Sequence, residues 1–135
     1  GREVEAQSAE RIARQLAGLP EGTRLQLLAP VVRNRKGTHA EVFADARASG
    51  FVRARVNGEV LNLSEVPALE KKNKHDVEIL VDRLVVPANA ARDEAFMSRL
   101  TESVETTLKT AEGLLLASYS AKDSADPGAA ERSTD

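Results

Sequence analysis

Apolar positions recur three and four residues apart in some stretches of this chain and alternate with polar ones in others, so both helices and strands are predicted. Ala9, Ile12, Leu16 and Leu19 make one stripe, which predicts a helix from a Ser8 cap to about Gly18, ended by Pro20-Glu21-Gly22-Thr23. Leu25 to Val32 is a nearly continuous apolar run of strand length, the pattern of a strand buried on both faces. Pro30 then belongs at its end or at a bulge, because proline has no N–H for the ladder. Arg33-Asn34-Arg35-Lys36-Gly37 reads as a basic loop. Thr38 and Glu41 read as a capping box that opens a short helix with Ala40, Phe43, Ala44 and Ala48 inward, stopped by Ser49-Gly50.

The alternation is strictest from Phe51 to Leu63. It sets Val52, Ala54 and Val56 against Phe51, Arg53 and Arg55, and Asn57-Gly58 supplies the positive φ that a type I′ hairpin turn needs at both central residues. A two-residue turn pairs Val56 with Glu59, Arg55 with Val60, Ala54 with Leu61, Arg53 with Asn62 and Val52 with Leu63. The predicted core face is Val52, Ala54, Val56, Leu61 and Leu63; the other carries Arg53, Arg55, Val60 and Asn62. Ser64 to Leu69 holds Pro67 and reads as a loop, and Glu70 to His75 is a second basic segment.

Asp76 to Val86 predicts a long strand in which Arg83 breaks the apolar parity, which calls for a bulge or a position near the sheet edge. Pro87-Ala88-Asn89 gives a break and a cap, and Met97, Leu100, Val104, Leu108 and Ala111 form the stripe of a helix to about Glu112, closed by Gly113. Leu114 to Tyr119 supplies a last strand. The expectation is one α/β (α+β) domain over residues 1–119, a mixed sheet of about five strands with an Asn-Gly hairpin, flanked by three helices. Residues 120–135, rich in Ala, Ser, Asp and Gly, predict a disordered linker or tail.

Composition narrows the function. The 135 residues suit a single modest core. With no cysteine there is no disulfide framework, thiolate metal site or cysteine nucleophile, and the two histidines give little for metal binding, so no metal site is expected. No apolar run has bilayer length and no secretory layout stands at the start, so a cytoplasmic protein without membrane contact is expected. Net charge is −2, but residues 22–86 carry eleven Lys/Arg against eight Asp/Glu, and residues 87–135 five against nine. That imbalance is too small for a nucleic-acid stripe, and four aromatic rings make no stacking platform.

No catalytic constellation is visible. Arg33 to Thr38 has one glycine, preceded by its lysine, and is not the G-x-x-x-x-G-K-[ST] phosphate loop. His39 and His75 lack a nucleophile motif to serve, and read as partly exposed residues rather than general bases. Glu78 and Asp82, on one strand face, stand about 13 Å apart, too far for a carboxylate dyad, and suit arginines of a neighbouring strand. Arg53 and Arg55 admit two readings, a solvated outer face and a recognition face that uses the planar guanidinium fork against carboxylates. A nucleic-acid module built on the basic segments 33–36 and 71–74 is the alternative function.

The strings Leu28-Ala29-Pro30-Val31-Val32, Arg35-Lys36-Gly37-Thr38-His39, Gly50 to Glu59, Leu69 to His75, Val81-Asp82-Arg83 and Ser103 to Leu108 followed by Ala111-Glu112-Gly113 resemble, in this order, the UvrA family, damage-sensing ATPases of bacterial nucleotide excision repair. The resemblance covers roughly residues 1–117. It implies an interaction module excised from the first ATPase half, whose partner is UvrB, in an excision nuclease system tied to DNA damage and the SOS response. It implies that ATP and zinc belong to the parent, that the parent is a homodimer reaching DNA through other parts, and that this piece is catalytically inert and without a cofactor. Arg53 and Arg83 match the family's two UvrB-contacting arginines; Arg55 joins them by its shared face, and Arg35, Lys36 and Asp82 are expected as secondary contacts. Glu3 replaces an expected proline, and Pro87 to Met97 is longer than the usual connection into the last helix.

Overall fold

The computed structural model describes residues 6–121 and 130–133. Helix α1 spans Ala6–Ala17, followed by β1 Arg24–Lys36, α2 Ala40–Ala48, β2 Arg53–Val56, β3 Glu59–Asn62, β4 Lys74–Val85, α3 Glu94–Thr110, β5 Leu116–Ser120 and β6 Ala130–Ser133. The strands form one six-stranded sheet in the order β3-β2-β4-β1-β5-β6. Every described pair is antiparallel, so the expected α+β domain holds while the sheet has no parallel pair among the described strands. The sixth strand, β6, falls in the stretch expected to be a disordered tail; residues 122–129 and 134–135 of that stretch lie outside the described residues, as does Glu3.

Residues paired across a ladder point to the same face. Leu25, Leu27 and Ala29 of β1 stand opposite Leu84, Asp82 and Ile79 of β4, and Ala54 of β2 also stands opposite Ile79. On this face α1 and α3 pack Ala13, Leu16, Leu100 and Val104 against Leu25, Leu27 and Leu84. Farther along the same face, α2 packs Phe43 and Ala46 against Ala54, Val56, Val77 and Ile79. All three helices thus collect on one side of the sheet. The opposite side carries Arg53, Arg55, Glu78, Leu80, Gln26 and Arg83.

One bulge makes this arrangement possible. Leu27 pairs with Asp82 and Leu28 with Leu80, leaving Val81 as the extra residue. Before it, odd-numbered residues of β4 (Val77, Ile79) face the helices; after it, Leu84 and Val86 do. The bulge flips the alternation, which is how Arg83 reaches the open face and Asp82 the helical one. Pro30 likewise stands beside an irregularity, between the pairs at Pro30 and Val32, on a stretch of β1 beyond its last pairing with β5 at Leu28. Its missing N–H therefore leaves no ladder bond unmade on that side.

The hairpin forms as predicted, with Asn57 at φ 52° and Gly58 at φ 88° and the predicted pairs from Arg53–Asn62 to Val56–Glu59. Its base differs. Leu63 is buried and donates its N–H to the Val52 carbonyl at 2.7 Å, yet Val52 is 56% exposed and Phe51 packs on the core instead. The alternation stops where β2 begins, because Phe51 follows the Ser49-Gly50 turn out of α2 and not the pleat.

Three other expectations are corrected. Arg33 to Lys36 continues β1 rather than forming a loop, and Lys36 pairs with Lys74 of β4. The Thr38–Glu41 capping box does not form: His39 is the N-cap, at φ 55°, with no side-chain capping bond, its Nε2 lying 3.0 Å from the Arg35 carbonyl. Asn89 caps only a 3-10 turn over Ala90–Arg92, and the cap of α3 is Asp93, whose carboxylate accepts the Phe96 N–H at 3.0 Å.

Candidate functional site

The open sheet face brings the candidate arginines together and sorts them. Arg53 pairs with Leu80 of β4 in one row of the sheet, and Arg83 lies on the next same-face position of β4 past the bulge, opposite Gln26. Both are exposed, and both line one depression of about 300 Å³ with Gly50, Phe51, Val52, Leu80, Val81 and Asp82. Among the described residues neither guanidinium is held by an ion pair or hydrogen bond. Two solvated forks therefore share one concave surface with an exposed valine, a surface chemistry that suits carboxylates beside an apolar group.

Arg55, two residues from Arg53, is in a different state. Its Nε donates to Glu78 Oε1 at 2.5 Å, and the two side chains are only 15% and 10% exposed. β2 and β4 pair the two residues directly in register, so the ion pair follows from the ladder. The expectation that Glu78 serves a neighbouring strand's arginine is met, but Arg55 has its carboxylate within the domain. Its fork is not presented outward as those of Arg53 and Arg83 are.

Asp82 was expected on the same face as Glu78, and the bulge turns it to the other. Its Oδ1 lies 2.7 Å from Arg99 Nη2 and its Oδ2 accepts from Arg99 Nε at 3.1 Å and from the Ser103 hydroxyl at 2.7 Å. Its Oδ1 also accepts the Arg83 N–H at 2.8 Å, while Arg99 Nη2 donates to the Arg83 carbonyl at 3.1 Å. Burial pushes the Asp82 carboxyl up, but hydrogen bonds from Arg99, Ser103 and the Arg83 amide, with the charge of Arg99, outweigh it and hold the group below the usual carboxylate range. The same carboxylate raises Arg99 further above its ordinary value. Arg99 and Ser103 carried no signal of this in the sequence, because their partner is fixed by a bulge whose position the pattern does not give.

Arg35 and Lys36 are exposed but lie seven and eight residues along β1 from the row of Arg53, roughly 20 Å away by strand rise. The structure does not bring them to the depression. They sit at the far end of the sheet with Lys74, where His75 is buried, not partly exposed. His75 Nε2 lies 2.7 Å from the Glu70 carbonyl, which can only accept, so Nε2 carries the proton and Nδ1 accepts from the Asn57 amide at 3.0 Å. Asn57 in turn accepts the Asp76 N–H at 2.9 Å, so this histidine anchors the hairpin turn to β4. No group of three or more metal-ligating side chains is found among the described residues. No helix among them is long and apolar enough to cross a membrane.

Comparison with known proteins agrees with the resemblance. The model of the family described as "UvrA interaction domain" matches residues 7–121. A protein named UvrABC system protein A from Lactococcus lactis subsp. lactis is 50% identical over 113 residues, which is 84% of this chain and 11% of that protein. Proteins of the same name from Pseudomonas aeruginosa and Treponema pallidum are each 48% identical over 84% of this chain and 11% of their own length. The chain thus spans about a ninth of the relatives it matches. With the family model covering all three helices and the first five strands, this chain belongs to the UvrA interaction domain family.

Proposed function

We propose that this domain docks UvrB during damage recognition in nucleotide excision repair, using Arg53 and Arg83, and that it catalyses nothing itself. The observation that carries the reading is the pair of exposed arginines, unpaired among the described residues, that share one depression beside exposed Val52. In this reading ATP, zinc, dimerisation and the main DNA contacts belong to the rest of a cytoplasmic parent protein. Arg55 supports the site from within the sheet, and Asp82 lines the depression with its carboxylate already engaged by Arg99 and Ser103. Charge on the rim steers association, and a desolvated Arg–carboxylate pair at the centre costs about 2 to 5 kcal/mol when truncated. The test is titration of the chain against UvrB: reversing Arg53 and Arg83 to Glu together should abolish binding while leaving the melting temperature unchanged. Unaltered affinity would remove the site.

A second reading has one observation in its favour. The ladder places Lys36 opposite Lys74, and like charges directly opposite are unfavourable, so the two basic segments converge on one end of the sheet with Arg35. That end suits a phosphate backbone. Duplex DNA binding that falls steeply with salt and is lost in Lys36→Ala/Lys74→Ala, with UvrB binding intact, would establish it as a separate activity.

A further inference from the structure

The reading of Arg83 as a docking residue leaves open what holds it in place. Arg83 sits just beyond the Val81 bulge, where the ladder between β1 and β4 is irregular. On the other side of β4, β2 stops at Arg53, opposite Leu80, so no described strand continues alongside Arg83. On that side the Arg83 backbone has no neighbouring strand, and the residue carries a side chain with many rotamers. Both of its backbone polar groups are nonetheless taken: the N–H by Asp82 Oδ1 at 2.8 Å and the carbonyl by Arg99 Nη2 at 3.1 Å. Asp82 and Arg99 are bound to each other through two hydrogen bonds, and Ser103, one helical turn on, donates to the same carboxylate. Arg99 and Ser103 both belong to α3, whose Leu100 and Val104 are fully buried in the core.

We propose that Asp82, Arg99 and Ser103 form a clasp that ties the Arg83 backbone to α3 and so holds the Arg83 guanidinium ready for a carboxylate-bearing partner. The inference rests on the docking reading above. Asp82, Arg99 and Ser103 are positioning residues: Arg99 and Ser103 belong to α3 on the helical side, and Asp82 lines the depression while its carboxylate is held by that helix. The pair is half in solvent, with the Arg99 side chain 60% exposed and Asp82 17% exposed, so its ionic part adds only modestly to folding. What it does is remove backbone freedom at one residue before binding, and pre-ordering a contact residue raises affinity by lowering the ordering cost of association.

The test is a double-mutant cycle on the full chain with UvrB as the probe. Arg99→Met keeps the aliphatic stem and removes the donors; it should weaken binding about five- to tenfold, the scale of fixing one residue's backbone. Arg99→Lys, whose single ammonium can take the place of Nη2 but not also supply the Nε bond to Asp82 Oδ2, should fall between. In an Arg83→Ala background Arg99→Met should have no further effect, and amide exchange at Arg83 should quicken in Arg99→Met while the melting temperature falls by no more than about 4 to 8 °C. If Arg99→Met weakens binding as much without Arg83 as with it, Arg99 acts elsewhere and the clasp is wrong. If Arg83→Ala weakens binding and Arg99→Met does not, docking stands and positioning falls. If Arg83→Ala itself has no effect, the docking role of Arg83 fails and takes this inference with it.

Discussion

Two acid–arginine pairs lie on opposite faces of the same sheet, and they do different work. Arg55–Glu78, on the open face, is mostly buried, with side chains 15% and 10% exposed; Arg99–Asp82, on the helical face, has its arginine in solvent. The first joins two strands in register and has become part of the sheet. The second joins a helix to the backbone of a neighbouring arginine. A buried pair is hard to break one partner at a time, because the other is left as an uncompensated charge; a pair whose arginine is solvated, though its Asp82 is 17% exposed, costs less to break from the arginine side. Charge close to the proposed docking surface therefore does not by itself identify the contact residues. Burial and prior engagement separate Arg55 from Arg53, two residues away on the same face.

The sharpest way to break this comparison is at Glu78. Glu78→Ala should destabilise the domain by about 3 to 5 kcal/mol, since it strands the Arg55 guanidinium in a largely buried position, and a urea melt would read the loss. The paired change Arg55→Met/Glu78→Leu should recover most of it, as an apolar pair of similar volume has no charge to desolvate. If the double variant is as unstable as the single, the pair contributes more than mutual neutralisation, and Arg55 has been misplaced as a structural residue. The recovered double variant then tests whether UvrB needs Arg55: binding retained within about twofold assigns it to the scaffold, the scale of a contact outside the energetic centre.

Next in size is the helix that carries the clasp. Asp93→Ala removes the carboxylate that accepts the Phe96 N–H and should destabilise by about 1 kcal/mol. Asn89→Ala should not behave as a lost cap, since Asn89 makes no capping bond and serves by adopting φ 52°; its effect should be one of backbone strain, rescued by Asn89→Gly. Thermal melts of the three variants distinguish the two mechanisms.

Much of this was legible in the sequence, and the failures share a cause. The hairpin could be read down to its pairs because Asn57-Gly58 fixes a two-residue turn, and turn length fixes register. The stripes of α1 and α3 were legible because helical periodicity reports one buried face. What could not be read is anything set by a long-range irregularity. Arg33 to Lys36 looks like a loop because its residues are solvated, yet it pairs with Lys74 and His75 across some forty residues of chain. Arg83 announced a parity fault, but a fault can be resolved at any of several neighbours; only the pairing of Leu27 with Asp82 and Leu28 with Leu80 puts the extra residue at Val81. That single placement separates Glu78 from Asp82, sends one to Arg55 and the other to Arg99, and decides which arginines face outward. Arg53 and Arg83 could be singled out through the family resemblance. Their shared depression could not.

The smallest expected effect bears on the exposed pair and on its sign with pH. Asp82 is held below the ordinary carboxylate range in the folded chain, so the folded state favours its ionised form. A group with a depressed folded pKa contributes stability that is fully present above its unfolded value, near 3.8, and that is lost as pH falls through the folded value. The stability advantage of the unaltered chain over Asp82→Asn should thus be constant from neutral pH to about 5 and shrink toward zero as acid protonates the clasp. With Arg99 mostly in solvent, the whole advantage should be no more than about 1 kcal/mol and should shrink further with salt. Arg55–Glu78, being buried, should show no such salt sensitivity. Urea melts of both chains between pH 3 and 7, at low and high salt, would show it; an advantage that grows on acidification would mean that Asp82 is worth more protonated, and the clasp could not be the charge-assisted device its geometry describes.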